Sequence, residues 1–296
     1  MTIARTRTVA LVTSAELADL EPDDRSLLAS LRELGIEARP AVWDDPGVDW
    51  AGYDLVVVRT PWDYPSRRAE FVAWAESVPR LANPADLLRW NTDKHYLRDL
   101  GSAGVPVPVT TWFEPGGPAR QLPRHGECVV KPVVSAGARD TARYDLAEPA
   151  QAKAARRHVE ALLAAGRPAM LQPYLGGVDE LGEAALVFLG GRFSHAVTKA
   201  ALLEPARAAD PDRRPAPRIT PRDVSGTELE VARRVLDAVP GGGHRLLYAR
   251  VDLIPGKDGA PVLLELEITE PALFLDHAPD GPTGFAAAIS ARVGVG

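Results

Sequence analysis

The hydrophobic positions of this chain change period several times in its first eighty residues. Thr8–Val12 is a short apolar run read as a strand, and Pro22 to Leu34 spaces its leucines for an amphipathic helix that Gly35 closes. Ile36–Val42 reads as a second strand, and the unbroken Leu55-Val56-Val57-Val58 as one buried on both faces. Ser66–Val78 returns to the helical period. Strands alternating with helices predict a parallel sheet with crossover helices, whose ligands lie beyond the carboxyl ends of the strands. The stretch Arg59-Thr60-Pro61-Trp62-Asp63-Tyr64 begins at such an end. It is either a rigid loop with locally packed aromatics or a substrate wall in which Arg59 holds a carboxylate.

Downstream the pattern predicts a helix over Thr92 to Leu100, capped by Asn91 or Thr92, then an extended Val105–Trp112 and a Pro/Gly-rich connection over Pro115–Pro123. Cys128–Lys131 and Ala169–Gln172 read as strands on either side of an alanine-rich helix, Glu148 to Ala165. Ala184–Phe188 and Phe193–Lys199 flank Gly190-Gly191 as a hairpin. Glu204 to Asp223 is rich in Pro and Arg and has no period, so it is disordered or a lid. Val224–Val239 and Gly284–Arg292 read as helices.

Between those helices lies YARVDLIPGKDGAPVLLELEITEP, residues 248 to 271. Asp258-Gly259 is a two-residue turn signal, and the register it sets places Asp252 opposite Glu265 and Arg250 opposite Glu267. A solvated outer face would explain the two glutamates alone. Three carboxylates on one patch, however, repel each other unless a cation sits among them, and hard oxygen donors suit Mg²⁺ or Mn²⁺.

Composition narrows the classes. The 296 residues suffice for two or three small lobes, with 46% hydrophobic and 25% charged residues as in soluble globular proteins. A net charge of −6 gives no support to nucleic-acid or membrane-surface binding. No apolar run nears the roughly 18 residues of a membrane span, and the basic, briefly apolar start reads as a first strand and not a signal peptide. Cys128 is the one cysteine, which fits a reducing cytoplasm. Lysine occurs only at 94, 131, 153, 199 and 257, so lysines in apolar settings call for a reason. Neither phosphate-binding glycine motif occurs, the six histidines lack metal-ligand spacing, and no nucleophile arrangement stands out.

Lys94, Lys131 in VVKP, Ser135–Ala138, Met170-Leu171-Gln172-Pro173-Tyr174-Leu175, Gly182-Glu183, Arg250-Val251-Asp252 and Glu265-Leu266-Glu267 come in the order of an ATP-grasp ligase. The chain resembles the glutathione-synthetase-like branch, and within it the cyclo-ligases of D-cycloserine type. The similarity spans nearly the whole chain, from RTPWDY through NTDKHYL to ELEITEPALFL. It implies an α/β, ATP-grasp fold: a Rossmann-like substrate-side domain over 1–90, a central lobe over 91–180 and a metal-bearing lobe over 181–296.

It also implies roles. Lys94 and Lys131 would reach ATP phosphates, under a loop of Ser135, Ala136, Gly137 and Ala138. Gln172, Pro173, Tyr174 and Leu175 would be the adenine hinge, and Glu183 would hold the ribose. Lys199 and Arg250 would act on the reacting phosphate, and Asp252, Glu265 and Glu267 would hold Mg²⁺ or Mn²⁺. Relatives often have Asn where Glu267 stands, so Glu267 could instead pair with Arg250. Arg59, Trp62, Asp63 and Tyr64 would line the substrate, and Arg213, Arg214, Arg218 and Arg222 would serve a lid. The implied reaction joins a small-molecule carboxylate donor and an amine acceptor through an acyl phosphate, in a cytoplasmic enzyme and possible homodimer. A kinase on the same fold and a nucleotide-binding protein without turnover are the alternatives.

Overall fold

The computed structural model describes residues 5–117, 122–201, 203 and 218–294. The N-terminal alternation becomes a four-stranded parallel sheet. In it β1 (Arg7–Thr13) lies between β2 (Ile36–Val42) and β3 (Leu55–Thr60), and β3 also pairs with the short β4 (Leu81–Ala82). Helix α1 (Pro22–Glu33) covers one face with Leu27 and Leu31, and α2 (Arg68–Ser77) covers the other with Phe71 and Ala75.

Two short helices follow, α3 (Ala85–Asn91) and α4 (Tyr96–Ser102). Then β5 (Thr111–Phe113), β6 (Glu127–Pro132), β7 (Ala142–Asp145) and β8 (Ala169–Pro173) form an antiparallel sheet of order β5-β8-β6-β7. It is backed by α5 (Pro149–Ala164), whose Ala155, Val159 and Leu162 recur at helical spacing. After α6 (Gly177–Leu181) come β9 (Glu183–Leu189), β10 (Arg192–Lys199), β11 (Ile219–Pro221), α7 (Gly226–Asp237), β12 (Tyr248–Pro255) and β13 (Pro261–Glu267). Their strands make a five-stranded antiparallel sheet, β11-β10-β9-β12-β13, with α7 packed on it. The last helix is α8 (Gly281–Val293).

The first ninety residues close a core of their own on only one face of the sheet, where Val12, Val56, Val58, Phe71, Ala75 and Leu88 pack together. Val9, Leu11, Leu27 and Leu31 pack in one cluster with Val187, Leu189, Leu247, Tyr248, Phe285 and Ile289. Apolar burial therefore ties the parallel sheet to the C-terminal sheet and α8.

Three local expectations are corrected. The helix predicted over 92–100 is broken at residues 92–95, so Lys94 sits in a turn between α3 and α4. Asn91 is no cap: its Nδ2 donates to Leu266 O (2.7 Å), and its Oδ1 accepts from Ile268 N (3.1 Å). With Tyr96 Oη accepting from Leu266 N (3.0 Å), it satisfies the outer edge of β13 as a neighbouring strand would. Of the extended 105–112, only its end is laddered, as the start of β5.

The third correction concerns the hairpin. Gly256 N donates to Ala260 O (2.7 Å) and Gly259 N to Gly256 O (3.0 Å), so the turn is longer than two residues and Pro255 pairs with Pro261. Gly259 takes φ +80°, which an L side chain resists. A bulge at Asp252/Leu253 then absorbs the one-residue shift, restoring Asp252 opposite Glu265 and Arg250 opposite Glu267.

Candidate active site

The period of two puts Arg250 and Asp252 on one face of β12, and Glu265 and Glu267 opposite them on β13. Arg250 donates through Nε and Nη2 to the two Asp252 carboxylate oxygens, both at 2.8 Å, and through Nη2 to Glu267 as well. Lys199, at the end of β10, places Nζ 2.7 Å from Asp252 and 2.7 Å from Glu183. Gly182 makes that approach possible: at φ +70° a Cβ there would stand 2.6 Å from Lys199 O. Lys94 reaches out of its turn to Glu265 (2.8 Å) and to Ser135 O (2.9 Å). A lattice of alternating charges thus spans one face of the third sheet, and Lys94 ties it to the Ser135 loop.

The protonation states follow from this packing. Burial alone would raise the Asp252 pKa, but Arg250 and Lys199 outweigh it and hold the carboxyl low. Glu265 is held below its usual range as well, with Lys94 and Lys131 overcoming burial. Burial pushes Glu267 up against the pull of Arg250, with Asp252 and Glu265 adding to the rise. Lys131, 7% exposed on β6, is pushed down to about 8 by burial. Among the described residues it has no hydrogen bond or ion pair, although Glu265, Glu183, Lys94 and Lys199 lie within electrostatic range.

The hinge candidates lie at the end of β8. Gln172 is buried and donates to Thr110 Oγ1 (3.0 Å), and Tyr174 N donates to Glu127 O (2.8 Å). The Tyr174 carbonyl and the Leu175 N–H have no backbone partner among the described residues, so an acceptor and a donor stand side by side. The Ser135–Ala138 loop joins β6 to β7, with Gly137 at φ +61° and Ala138 at φ +55°.

Comparison with known proteins supplies the family. The family model for the N-terminal domain of D-cycloserine synthetase DcsG matches residues 9–83. The cycloserine biosynthesis protein DcsG of Streptomyces lavendulae is 39% identical over 311 residues, covering 96% of this chain and 98% of that protein. This chain belongs to the D-cycloserine synthetase family of ATP-grasp ligases. A crystal structure of D-cycloserine synthetase DcsG superposes with a TM-score of 0.85 at 37% identity, over 97% of this chain and 99% of that one. The ATP-grasp ligase PsnB, complexed with minimal precursor, Mg and ADP, shares the fold at a TM-score of 0.63 and 20% identity, over 99% of both chains.

Within this ATP-grasp ligase several expected placements change. Arg59, 1% exposed, bonds Asp24 (2.8 Å) and Pro271 O (3.0 Å) and faces the Tyr248 and Phe285 rings. Its carboxylate is the protein's own, so it joins the parallel sheet to the C-terminal segment and lines no substrate. Asp63 accepts from Trp43 Nε1 (3.0 Å) and turns away likewise. Trp62 and Tyr64 lie toward Glu270: Trp62 Nε1 donates to Glu270 O (3.2 Å), and Tyr64, buried against Phe71, has its phenol pushed up by burial and by the nearby Glu270 carboxyl. Arg222 bonds Glu228 (2.8 and 3.0 Å) at the start of α7 instead of a ligand, and Arg218 is exposed. Most of the predicted lid, 204–217 with Arg213 and Arg214, lies outside the described residues.

The divalent-ion expectation needs revision too. Among the described residues no three His, Cys, Asp or Glu converge as a ready cage, because Lys94, Lys199 and Arg250 already neutralise the acids. Asp252 is fully buried with both oxygens engaged. The Glu265 and Glu267 side chains are 27% and 26% exposed, so these two fit Mg²⁺ or Mn²⁺ better. Glu270 was not singled out by the sequence reading. Its signal was there, since ELEITE puts a third acid beyond the strand, but alternation fails after Glu267 and hides its direction.

Proposed function

We propose that this ligase couples ATP cleavage to ADP and phosphate with formation of a C–N bond on an amino-acid-like substrate. A substrate carboxylate oxygen attacks the γ-phosphorus, ADP leaves, and a nitrogen then attacks the acyl carbon and expels phosphate. The 39% identical relative acts in cycloserine biosynthesis, which favours a nitrogen of the same molecule and hence ring closure. The observation that carries the reading is Lys131, a buried lysine without an anionic partner among the described residues, on a strand facing the charged lattice. A cation in that setting is stabilised by an arriving polyanion such as the ATP phosphates.

Other residues complete the chemistry. Lys94 is the second phosphate contact, and the Tyr174 carbonyl and Leu175 N–H fit the amino and ring-nitrogen edge of adenine. Arg250 stands where charge builds on the phosphorylated carboxylate, and Lys199 keeps Asp252 ionised beneath it. Mg²⁺ or Mn²⁺ held by Glu265 and Glu267 would neutralise phosphate oxygens. Alignment and exclusion of water suffice for such a transfer, so no protein nucleophile is needed.

The test supplies ATP, Mg²⁺ and pooled D- and L-amino acids, including O-substituted serines, with and without hydroxylamine. ADP, phosphate and a trapped hydroxamate are expected. ADP with a stable phosphorylated product would make the protein a kinase.

A further inference from the structure

Five carboxylates gather at this site, and four are matched. Glu183 and Asp252 share Lys199, Asp252 and Glu267 share Arg250, and Glu265 holds Lys94. Glu270 alone has no ion pair within 4 Å among the described residues. Its neighbour is the buried, neutral Tyr64, and electrostatically it couples to Glu267 and Lys94. An acid crowded beside two others holds its proton when alone and ionises when a cation arrives, which makes its position a place for one.

The backbone that carries it is fixed by an unusual set of donors. Four consecutive carbonyls are each taken: Glu270 O by Trp62 Nε1 (3.2 Å), Pro271 O by Arg59 Nη2 (3.0 Å), Ala272 O by Arg250 Nη1 (3.0 Å) and Leu273 O by His195 Nε2 (2.9 Å). No strand pairing does this work, because β13 has ended at Glu267. Side chains from three separate regions therefore fix the stretch of backbone from which the Glu270 side chain springs, and a fixed backbone is the first requirement of a pre-organised recognition group. The same Arg250 that grips Ala272 O faces the Asp252–Glu267 lattice, so Glu270 lies next to the reacting end of the site.

We propose that Glu270, set by Tyr64 and Trp62, is the specificity residue that binds the protonated amine of the acid substrate. This rests on the ligase reading above and adds to it the residue that holds the ammonium group of the amino-acid-like substrate. A resident metal ion is the weaker occupant, since no cluster of three or more potential ligands includes Glu270 among the described residues.

The test compares each acid accepted by the wild type with its counterpart lacking the amine, by hydroxamate formation, and repeats the kinetics with Glu270→Gln. Wild type is expected to use only the amine-bearing acid. Glu270→Gln is expected to raise KM for that acid about 10- to 100-fold, the range for losing a charge-assisted hydrogen bond, with KM for ATP unchanged. Tyr64→Phe should raise it less, and Glu270→Asp should recover part of the loss. An unchanged acid KM in Glu270→Gln, with MgATP binding intact, overturns the inference and leaves the ligase reading standing. Equal use of the amine-free acid by wild type does the same. Absence of hydroxamate from every acid defeats the ligase reading itself, and the inference with it.

Discussion

Lys131 and Glu270 are the two charges of this site that the protein leaves unmatched, and they have opposite signs. Lys131 lies on β6 in the central sheet, and Glu270 follows β13 in the C-terminal sheet. Burial, with Lys94 and Lys199 adding, pushes Lys131 down to about 8, and burial, with Glu267 adding, pushes Glu270 up to about 8. Between them every other charge is paired. The pairs tie the strands of the C-terminal sheet to one another and to the turn that carries Lys94, and the unmatched ends are where ligands supply what the fold withholds. The fully buried pairing of Asp252 is thus expected to govern stability, and the unpaired charges affinity at little cost in stability.

The largest break in that comparison comes at its centre. Asp252→Ala removes the acid shared by Arg250 and Lys199 and leaves two cations in a site where Asp252 itself is 0% exposed. Losing one partner of such a network is expected to cost about 3–5 kcal/mol, read as a fall in denaturant midpoint at unchanged slope. A wild-type midpoint would mean that the lattice is not structural.

Next in size is Lys131→Met. MgATP affinity should fall by about 10- to 100-fold, the worth of a charge-assisted contact, while the melting temperature holds or rises. The sign follows from linkage: an ordinary lysine titrates near 10.5, but this one titrates at about 8 when folded. The unfolded chain therefore binds its proton more tightly, and below pH 8 the lysine opposes folding. A variant that melts earlier, with ATP affinity intact, would make Lys131 a structural residue and erase the contrast with Asp252.

How much of this was legible in the sequence depends on the length scale of each signal. The parallel layer was readable because three strand runs alternate with stretches of helical spacing, and β1, β2, β3, α1 and α2 fall within a residue or two of the expected positions, whereas the two-residue β4 is too short to leave a pattern. The pairing of Arg250 with Glu267 was readable only in its outcome. The turn is longer than its Asp-Gly signal implies, and the bulge at Asp252/Leu253 cancels the error. Arg59 was misread because a lone arginine after a strand looks alike whether its carboxylate comes from a ligand or from Asp24, far away in sequence. Asn91 was misread for a related reason, since its partners Leu266 and Ile268 are about 175 residues away. Glu270 stayed hidden because its orientation comes from Trp62, Arg59, Arg250 and His195, which no local period connects.

The Lys131 end can be sharpened by pH. If its pKa is about 8 before ATP arrives, binding at pH 9 must take up a proton to present an ammonium to the phosphates. Calorimetry in two buffers of different ionisation enthalpy should show up to one proton taken up per MgATP at pH 9, and close to none at pH 6.5. Affinity should decline as pH rises through 8. Buffer-independent heats at pH 9 would place the Lys131 titration outside this range.

The smallest effect belongs to the Glu270 end, and its sign is the informative part. A carboxyl ordinarily titrates near 4.5, and here it is raised to about 8 in the folded protein. The unfolded chain ionises first, so the stability this group contributes is complete below pH 4.5 and is lost as pH rises through 8. Glu270→Gln has no charge to develop. It should match wild type at pH 5 less closely than at pH 4, and by pH 8.5 it should be the more stable protein by roughly 1 kcal/mol, after allowance for partial solvent exposure. That is about 2 °C in a chain of this size. The same substitution is expected to weaken the acid substrate, so stability and affinity would move in opposite directions at one residue. A bound amine should reverse the order by neutralising Glu270 in the wild type alone. Identical melting temperatures at pH 8.5, with and without an amino acid that is turned over, would mean that Glu270 is an ordinary solvated acid and that Lys131 has no counterpart.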